Sequence, residues 1–240
     1  MSSTPKALTA LEALRARVRY KLWAPLRANR HFAYDLSHSQ FGEDMVLRHL
    51  LADVSRGTFV DIGAYHPVHY SNTYHFYCRG WSGLNIDANP YVIDLFRILR
   101  PRDINVCAAV SDNSNEIVTF FRFAPAVFST IDECFAQRWQ SLPGVRLVDR
   151  CEVRPRTIGD LLESYLNHTQ LDLFTVDVEG SDERILTTVD WSKYRPRVIC
   201  FELHDTKLEN LSDATAVTFL KREGYQLEAR CGPSVIMSRV

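Results

Sequence analysis

The sequence lacks several of the signatures that often assign a protein to a class. No G-x-G-x-x-G run follows a strand-like segment, which argues against a dinucleotide site built on backbone amides and hence against a dehydrogenase. The six cysteines include no C-x-x-C pair, so we expect reduced thiols, with Cys107 and Cys200 in apolar runs typical of buried strands. No apolar run approaches the ~20 residues of a membrane span, and no secretory signal is recognisable, so we expect a cytoplasmic protein.

The sequence also lacks a large excess of charge of either sign. Its 28 Lys and Arg residues nearly balance 29 Asp and Glu residues, which argues against a surface built to bind nucleic acid. Positive charge is concentrated in residues 1–30, where leucines recur at helical spacing. We therefore predict a basic amphipathic helical extension over residues 1–36. Its residues 5–30 could lie peripherally on a membrane or contact a partner, or they could pack on the chain's own domain or in a homodimer.

Beyond this extension, strand-like and helix-like segments alternate. The order predicts a doubly wound, mostly parallel α/β sheet in one domain over residues 37–240. Residues 225–229 and 234–240 are an exception, because the short turn between them allows only antiparallel pairing. Residues 113–156 interrupt the alternation, and we predict that this insertion determines acceptor specificity. The other predicted strands are 58–61, 83–87, 104–110, 117–123, 146–153, 171–178 and 197–203, and the predicted helices are 70–78, 91–99, 160–166, 181–189 and 213–223, with a mixed loop and helix over 128–139.

Polar residues follow most of the predicted parallel strands. In open α/β sheets a ligand lies beyond the carboxyl ends of the strands, near the point at which the strand order reverses. A single acid there is often only the N-cap of the next helix, but polar residues at several strand ends together indicate a binding site. These residues are Asp61 with Gly63, Asp87, Ser111 with Asp112, Asp177 with Glu179, and Glu202 with His204.

Six segments carry a more specific resemblance. In order between Ser39 and Asp205, they are SQFGEDMVLRHLL, VDIGAYHPVHYSNT, GWSGLNIDANP, NVCAAVSD, LFTVDVEGSDERIL and ICFELHD. They resemble the successive motifs of the FkbM family of S-adenosyl-L-methionine-dependent methyltransferases, although AYHP replaces the family's commoner first turn. The resemblance implies the class I (Rossmann-like) methyltransferase fold, with a seven-stranded sheet and an antiparallel C-terminal hairpin. It also implies S-adenosyl-L-methionine as the cofactor, whose sulfonium cation suits strand ends that carry acids.

The resemblance, together with the chemistry of the side chains, implies roles in cofactor binding. Asp61 and Gly63 would form the first turn beside the methionine moiety, and Asp87 would accept hydrogen bonds from the ribose hydroxyls. Asp112 would accept a hydrogen bond from the exocyclic amine of adenine. The complete predicted set is Gln40, Asp44, Asp61, Gly63, Ala64, Tyr65, Ser71, Asn72, Asp87, Ala88, Ser111, Asp112 and Asp177.

Methyl transfer to a hydroxyl needs an in-line approach and a group that takes the hydroxyl proton. The candidates for this chemistry are Asp177, Glu179, Glu202 and His204. His204 is the natural general base because imidazole titrates near neutrality, with Asp177 or Glu202 as its orienting partner. Glu179 also suits the N-terminus of the helix that follows it. Alternatively, Asp177, Glu202 and Asp205 would hold a Mg²⁺ ion that lowers the pKa of the hydroxyl.

The resemblance implies O-methylation of a saccharide or a glycosylated metabolite, which is typical of the family in glycan and natural-product biosynthesis. Histidines and aromatic residues near the predicted pocket favour such an acceptor because rings stack on sugars. They are His66, His69, Tyr70, His75, Phe128 and Trp139. Two alternatives stay open: a methyltransferase whose protein, lipid or nucleic acid substrate docks on the basic extension, and a non-catalytic scaffold of the same fold. The presence of Asp61, Asp87 and Asp177 argues against the scaffold.

Overall fold

The computed structural model describes Arg15, Val18 and residues 36–166 and 170–240. The predicted basic extension lies outside the described residues, except for Arg15 and Val18, which are helical and exposed, and Leu36, which is exposed. Among the helices within the described ranges, none combines the length and the apolar character that a membrane crossing requires.

A seven-stranded sheet forms the centre of the fold. The strands of the chain are β1 (Thr58–Ile62), β2 (Ser82–Asp87), β3 (Ile104–Cys107), β4 (Val118–Ala124), β5 (Arg146–Val153), β6 (Leu173–Val176), β7 (Val198–Glu202), β8 (Tyr225–Cys231) and β9 (Ser234–Arg239). The order in the central sheet is β3-β2-β1-β6-β7-β9-β8. Its first five strands are parallel, whereas β9 pairs antiparallel with both β7 and β8. The predicted mostly parallel sheet with an antiparallel C-terminal hairpin is confirmed.

The central strands are buried on both faces. Every residue of β6 and β7 is buried, which explains why these strands occur in the sequence as continuous apolar runs. On one face Phe174 and Ile199 belong to the larger hydrophobic core. On the other face Phe59 and Trp81 belong to a second apolar cluster. Burial on both sides fixes the positions of the strand ends that carry the acids.

The helices lie between these strands in the order of the chain. They are α1 (Glu43–Leu50), α2 (Tyr74–Cys78), α3 (Pro90–Leu99), α4 (Glu133–Gln140), α5 (Ile158–Leu166), α6 (Asp182–Thr188) and α7 (Thr215–Arg222), with short 3₁₀ helices at Ala126–Phe128 and Leu208–Asp213. The side chain of Asn89 caps α3, whose first residue is Pro90. Thr157 caps α5, because its Oγ1 accepts a hydrogen bond from the amide of Asp160.

Three local predictions were wrong. The helix predicted from Tyr70 begins only at Tyr74, because Tyr70 adopts a left-handed φ of 54° that a right-handed helix cannot contain. The strand predicted over 104–110 ends at Cys107. Cys107 is also exposed, because β3 is an edge strand of the sheet, whereas Cys200 is buried as predicted.

The insertion at residues 113–156 contains β4 and β5, which pair as a separate antiparallel sheet. Thr130 connects this sheet to the central one. Its backbone exchanges two hydrogen bonds with Phe121 of β4, and its Oγ1 donates a 2.9 Å hydrogen bond to the carbonyl of Glu179. The insertion therefore lies against the loop that follows β6, at the carboxyl edge of the sheet. Its role in specificity stays a prediction.

Candidate active site

The turn after β1 brings the backbones of two strands together. Gly63 has a φ of 77°, and a Cβ at this position would lie 1.6 Å from the carbonyl oxygen of Asp177, just beyond β6. A residue without a side chain is therefore required here. The amides of Gly63 and Ala64 both donate to the carbonyl of Ile86. These two amides are not available to an anion, consistent with the missing glycine motif.

A cleft of about 630 Å³, including space open to solvent, lies next to this turn. It lies beyond the ends of β1, β2 and β6, at the point where the strand order reverses between β1 and β6. Its charged lining residues are Asp87, Asp177 and Glu179. Its apolar lining residues include Ile62, Ile86, Val92, Val110, Phe120 and Val127. An apolar wall with a few convergent acids is typical of a small-molecule site.

Asp87 is held in place at the end of β2. Its Oδ2 accepts a 3.0 Å hydrogen bond from the amide of Tyr65, and its Oδ1 accepts a 2.7 Å hydrogen bond from the amide of Asn89. Burial raises the pKa of Asp87 to about 6, and the two amides act in the opposite direction. Each carboxylate oxygen has a second lone pair, so Asp87 can still accept hydrogen bonds from a ligand in the cleft.

A second, smaller cavity of about 270 Å³, including space open to solvent, lies on the other side of Asp177. It is lined by Gln40, Glu43, Tyr70, Asn72, Val176, Asp177, Cys200, Phe201, Glu202 and Ser234. Within its wall, the hydroxyl of Ser234 donates a 2.9 Å hydrogen bond to Glu43 Oε1. Asp177 is thus in the wall that the cleft and the second cavity share, and its Oδ1 is buried without a hydrogen-bond partner among the described residues.

Glu179, Glu202 and His204 form a compact cluster beside this wall, which we call the Glu–Glu–His cluster. His204 Nε2 lies 2.9 Å from Glu202 Oε2 and 3.6 Å from Glu179 Oε2. Neither of these contacts has the geometry of a hydrogen bond. His204 Nε2 and Glu179 Oε2 are therefore both buried without a hydrogen-bond partner among the described residues. Glu179 has a left-handed φ of 54°, which is strained for a residue with a side chain.

The charges of the cluster shift the pKa values of its acids upwards. Burial and the charge of Glu202 raise the pKa of Glu179 to about 8. The same two causes raise the pKa of Asp182 to about 7 and that of Asp177 well above its usual range. For His204, burial lowers the pKa, but the adjacent Glu202 and Glu179 carboxylates more than offset it and leave the value raised. Crowded acids with perturbed pKa values in a cleft are characteristic of functional sites.

Aromatic side chains of the insertion cover the cluster. The rings of Phe135 and Trp139 in α4 lie 5.3 and 5.9 Å from the His204 ring, measured between centroids. Phe135 also packs on Gly180, where a Cβ would lie 2.4 Å from the phenyl ring. These contacts shield the cluster from solvent, and they could not be predicted because α4 and His204 are distant in the chain.

A buried polar network lies behind the turn after β1. Thr73 Oγ1 donates a 2.6 Å hydrogen bond to Asp61 Oδ2, and Arg100 donates to Thr73 Oγ1 at 2.9 Å. Arg100 is completely buried and forms a 2.7 Å ion pair with Asp103. Thr73, Arg100 and Asp103 could not be identified as a network from the sequence. Nothing in the local sequence distinguishes the buried Arg100 from the exposed Arg97 three residues earlier.

The predicted cofactor residues divide into two groups. The cleft or the second cavity is lined by Gln40, Gly63, Tyr65, Asn72, Asp87, Ala88 and Asp177. Neither is lined by Asp44, Asp61, Ala64, Ser71, Ser111 or Asp112. Asp61 and Ser71 belong to the network around Arg100.

The other predicted residues outside the cavities have local partners. Asp44 is fully buried, and its carboxylate accepts hydrogen bonds from residues 37–39, so it fixes the segment before α1. Ser111 donates to Asp112 at the surface, because β3 ends at Cys107 and the chain then enters the insertion. Asp205, predicted as a Mg²⁺ ligand, is exposed and accepts two hydrogen bonds from Arg138.

The seven-stranded order, the antiparallel C-terminal strand pair and an acid-containing cleft at the switch point define the protein as a class I methyltransferase. A family model described as the methyltransferase FkbM domain matches residues 61–227. The chain therefore belongs to the FkbM methyltransferase family, and the family implies S-adenosyl-L-methionine as the cofactor.

A comparison with solved structures finds a TehB-like SAM-dependent methyltransferase from Corynebacterium glutamicum. The match has 12% sequence identity and a TM-score of 0.39, and it covers 95% of this chain and 99% of that chain. No curated protein matches the chain.

The cleft has the features that S-adenosyl-L-methionine requires. Gly63, at which a Cβ would collide with the Asp177 carbonyl, lets the turn after β1 lie directly against the end of β6 beside the cleft. The apolar wall suits the adenine ring, and Asp87 offers acceptor lone pairs to ribose hydroxyls. Asp177 and Glu179 line the same cleft, and in their ionised forms they would favour a sulfonium. In this arrangement Asp87, Gly63 and Asp177 would hold the cofactor.

Proposed function

We propose that the protein is an S-adenosyl-L-methionine-dependent O-methyltransferase that acts on a hydroxyl of a saccharide or a glycosylated metabolite. The observation that carries this proposal is the position of Asp177. This single carboxyl lines both the cofactor cleft and the second cavity, and the Glu–Glu–His cluster adjoins it.

S-adenosyl-L-methionine would supply a methyl group that is already activated by its sulfonium. The protein's own part is to place the acceptor oxygen in line and to take its proton. As the new O–CH₃ bond forms, the S–CH₃ bond breaks, its electron pair stays on sulfur, and the hydroxyl proton is transferred to a side chain. A cavity that meets the cleft at one carboxyl provides this geometry.

Asp177 is the best-placed proton acceptor. Its buried Oδ1 has no hydrogen-bond partner among the described residues, and burial together with the Glu202 charge raises its pKa. A carboxylate with a raised pKa is a stronger base, and its ionised form can take up the hydroxyl proton. His204, the base expected from sequence, directs its Nε2 towards Glu202 and Glu179, so we assign it to the cluster instead.

The lining of the two cavities supports a neutral, hydroxyl-rich acceptor. Among the described residues, neither cavity is lined by Lys or Arg, so a phosphorylated or carboxylated acceptor would lack a counter-charge. Gln40 and Asn72 offer amide groups that pair with hydroxyls. At the mouth, the rings of Tyr65 and Tyr70 stack with centroids 6.1 Å apart, and Tyr70 is 55% exposed. Such rings pack on the C–H face of a sugar.

The test combines an acceptor screen with an isosteric variant. Full-length protein is incubated with labelled S-adenosyl-L-methionine and neutral saccharides, sugar phosphates, sugar acids or amines, and products are identified by mass spectrometry. We expect methyl ethers of neutral saccharides, and a loss of about 10²- to 10⁴-fold in kcat in Asp177→Asn, measured at saturating cofactor because Asp177 also lines the cofactor cleft. The matched control is Asp94→Asn, which removes an exposed carboxylate of α3. Methylation confined to amines, or full activity in Asp177→Asn, would overturn the proposal.

A further inference from the structure

The atoms of the Glu–Glu–His cluster are spaced like the ligands of a metal ion, and the proposed proton transfer does not involve this spacing. One ligand-type atom from each of its three residues lies within 4.8 Å of the other two. These atoms are two carboxylate oxygens and one imidazole nitrogen, all of which carry lone pairs. Ligand atoms of one metal ion are separated by similar distances, because each lies ~2.0–2.2 Å from the ion.

The hydrogen bonding inside the cluster is incomplete. Glu179 is 8% exposed, and its Oε2 points at His204 without a hydrogen-bond partner among the described residues. A proton shared between His204 and Glu202 would satisfy those two residues but would leave Glu179 Oε2 unpaired. An unpaired buried carboxylate oxygen is costly, and a cation that contacts all three atoms together would remove this cost.

We propose that Glu179, Glu202 and His204 bind one divalent metal ion of the first transition row, with Mn²⁺ as the representative species. An imidazole nitrogen together with carboxylate oxygens suits ions such as Mn²⁺, Fe²⁺ or Zn²⁺, whereas Mg²⁺ favours oxygen ligands alone. This site differs from the Mg²⁺ site expected from sequence, because Asp205 is engaged by Arg138 at the surface.

The position of the site gives the ion a role in methyl transfer, namely binding the acceptor hydroxyl. This role rests on the proposed function. Three protein ligands leave coordination positions open, and Glu202 also lines the second cavity. An acceptor oxygen bound there would have a lowered pKa, and its proton would still pass to Asp177. The ion would thus fix the hydroxyl beside the methyl group.

The direct test uses full-length protein that has been freed of metal with a chelator. It is titrated with MnCl₂ and followed by electron paramagnetic resonance and calorimetry. We expect one bound Mn²⁺ per chain, with spin-echo modulation from an imidazole nitrogen. Glu179→Gln should weaken binding by at least about 10- to 100-fold, and His204→Gln should abolish the nitrogen modulation. Asp205→Asn is the matched control and should bind Mn²⁺ like the unaltered protein.

Two outcomes would overturn the inference: no stoichiometric Mn²⁺ binding, or a loss in Asp205→Asn as large as that in Glu179→Gln. Circular dichroism of each variant establishes that it is folded, and Glu202→Gln replaces any variant that is not. If hydroxyl methylation proceeds at full rate in the presence of a chelator, the role of the ion is refuted but the proposed function is not. Conversely, Mn²⁺ binding without any hydroxyl methylation would leave the site standing and refute the proposed function.

Discussion

The backbone at Gly63 approaches the carbonyl of Asp177 so closely that an added Cβ would lie 1.6 Å from its oxygen. This contact joins the turn after β1 to the residue that follows β6. It therefore determines where the Asp177 side chain emerges between the two cavities.

We predict that Gly63→Ala destabilises the protein strongly and reduces cofactor binding. A left-handed φ and a steric overlap together should lower the free energy of unfolding by about 2–5 kcal/mol. Gly144→Ala is the matched control, because Gly144 has a φ of 83° but no atom within 4 Å of an added Cβ. Chemical denaturation of the two variants measures the difference. Equal stability losses would show that the contact with Asp177 is unimportant.

Cofactor affinity should depend on pH through Asp87. Only the ionised carboxylate accepts hydrogen bonds at both oxygens, and burial raises the pKa of this group to about 6. As the pH falls below that value, the free protein takes up a proton at Asp87 and affinity falls, by up to about tenfold per pH unit. Calorimetric titration with S-adenosyl-L-methionine between pH 7.5 and 5 measures this dependence. In Asp87→Asn, affinity should be lower and independent of pH over this range, and an unchanged pH dependence there would assign the effect to another group.

Arg100 should contribute far more to stability than Arg97, although both belong to ion pairs with an aspartate three residues away. Arg100 and Asp103 are fully buried, so Arg100→Met leaves an uncompensated buried carboxylate and should cost about 3–5 kcal/mol. Arg97 pairs with Asp94 at the surface, and Arg97→Met should cost at most about 1 kcal/mol. Urea denaturation distinguishes the two variants, and similar midpoints would contradict the prediction.

The aromatic cover of α4 should maintain the raised pKa of Glu179. Trp139→Leu admits water to the cluster and also removes an indole N–H that lowers the pKa of Glu179. Since burial is the largest cause of the shift, the net effect should be a fall in the pKa of Glu179 from about 8 towards its ordinary value. Carbon-13 NMR titration of the glutamate carboxyls in metal-free protein measures this change. Leu142→Ala, at an exposed position just beyond α4, is the control and should leave the titration unaltered. A pKa that stays near 8 in Trp139→Leu would show that Glu202, rather than burial, maintains it.

The sequence was sufficient to predict the strands that are buried on both faces of the sheet. β6 and β7 are continuous apolar runs because they have no solvent-facing side, and the acids that follow them had to lie at one edge of a parallel sheet. The antiparallel hairpin was predictable because its turn is too short for a crossover.

Features that depend on contacts between distant segments were not predictable. Tyr70 has a left-handed backbone, which delays the helix to Tyr74. The proximity of Glu179 to His204 depends on how far each side chain extends past its strand, which spacing does not define. Ser111 and Asp112 followed an apolar run as the other acids did, but their strand ends earlier and the chain leaves the site.

The hydrogen bond from Thr130 to the carbonyl of Glu179 has a consequence for protein engineering. A designer who exchanges residues 113–156 for the insertion of a relative, in order to change the acceptor, would also remove a support of the backbone that carries Glu179. Under the proposed function, specificity and catalytic competence would thus be mechanically linked. A successful graft must keep a hydroxyl-bearing residue at position 130.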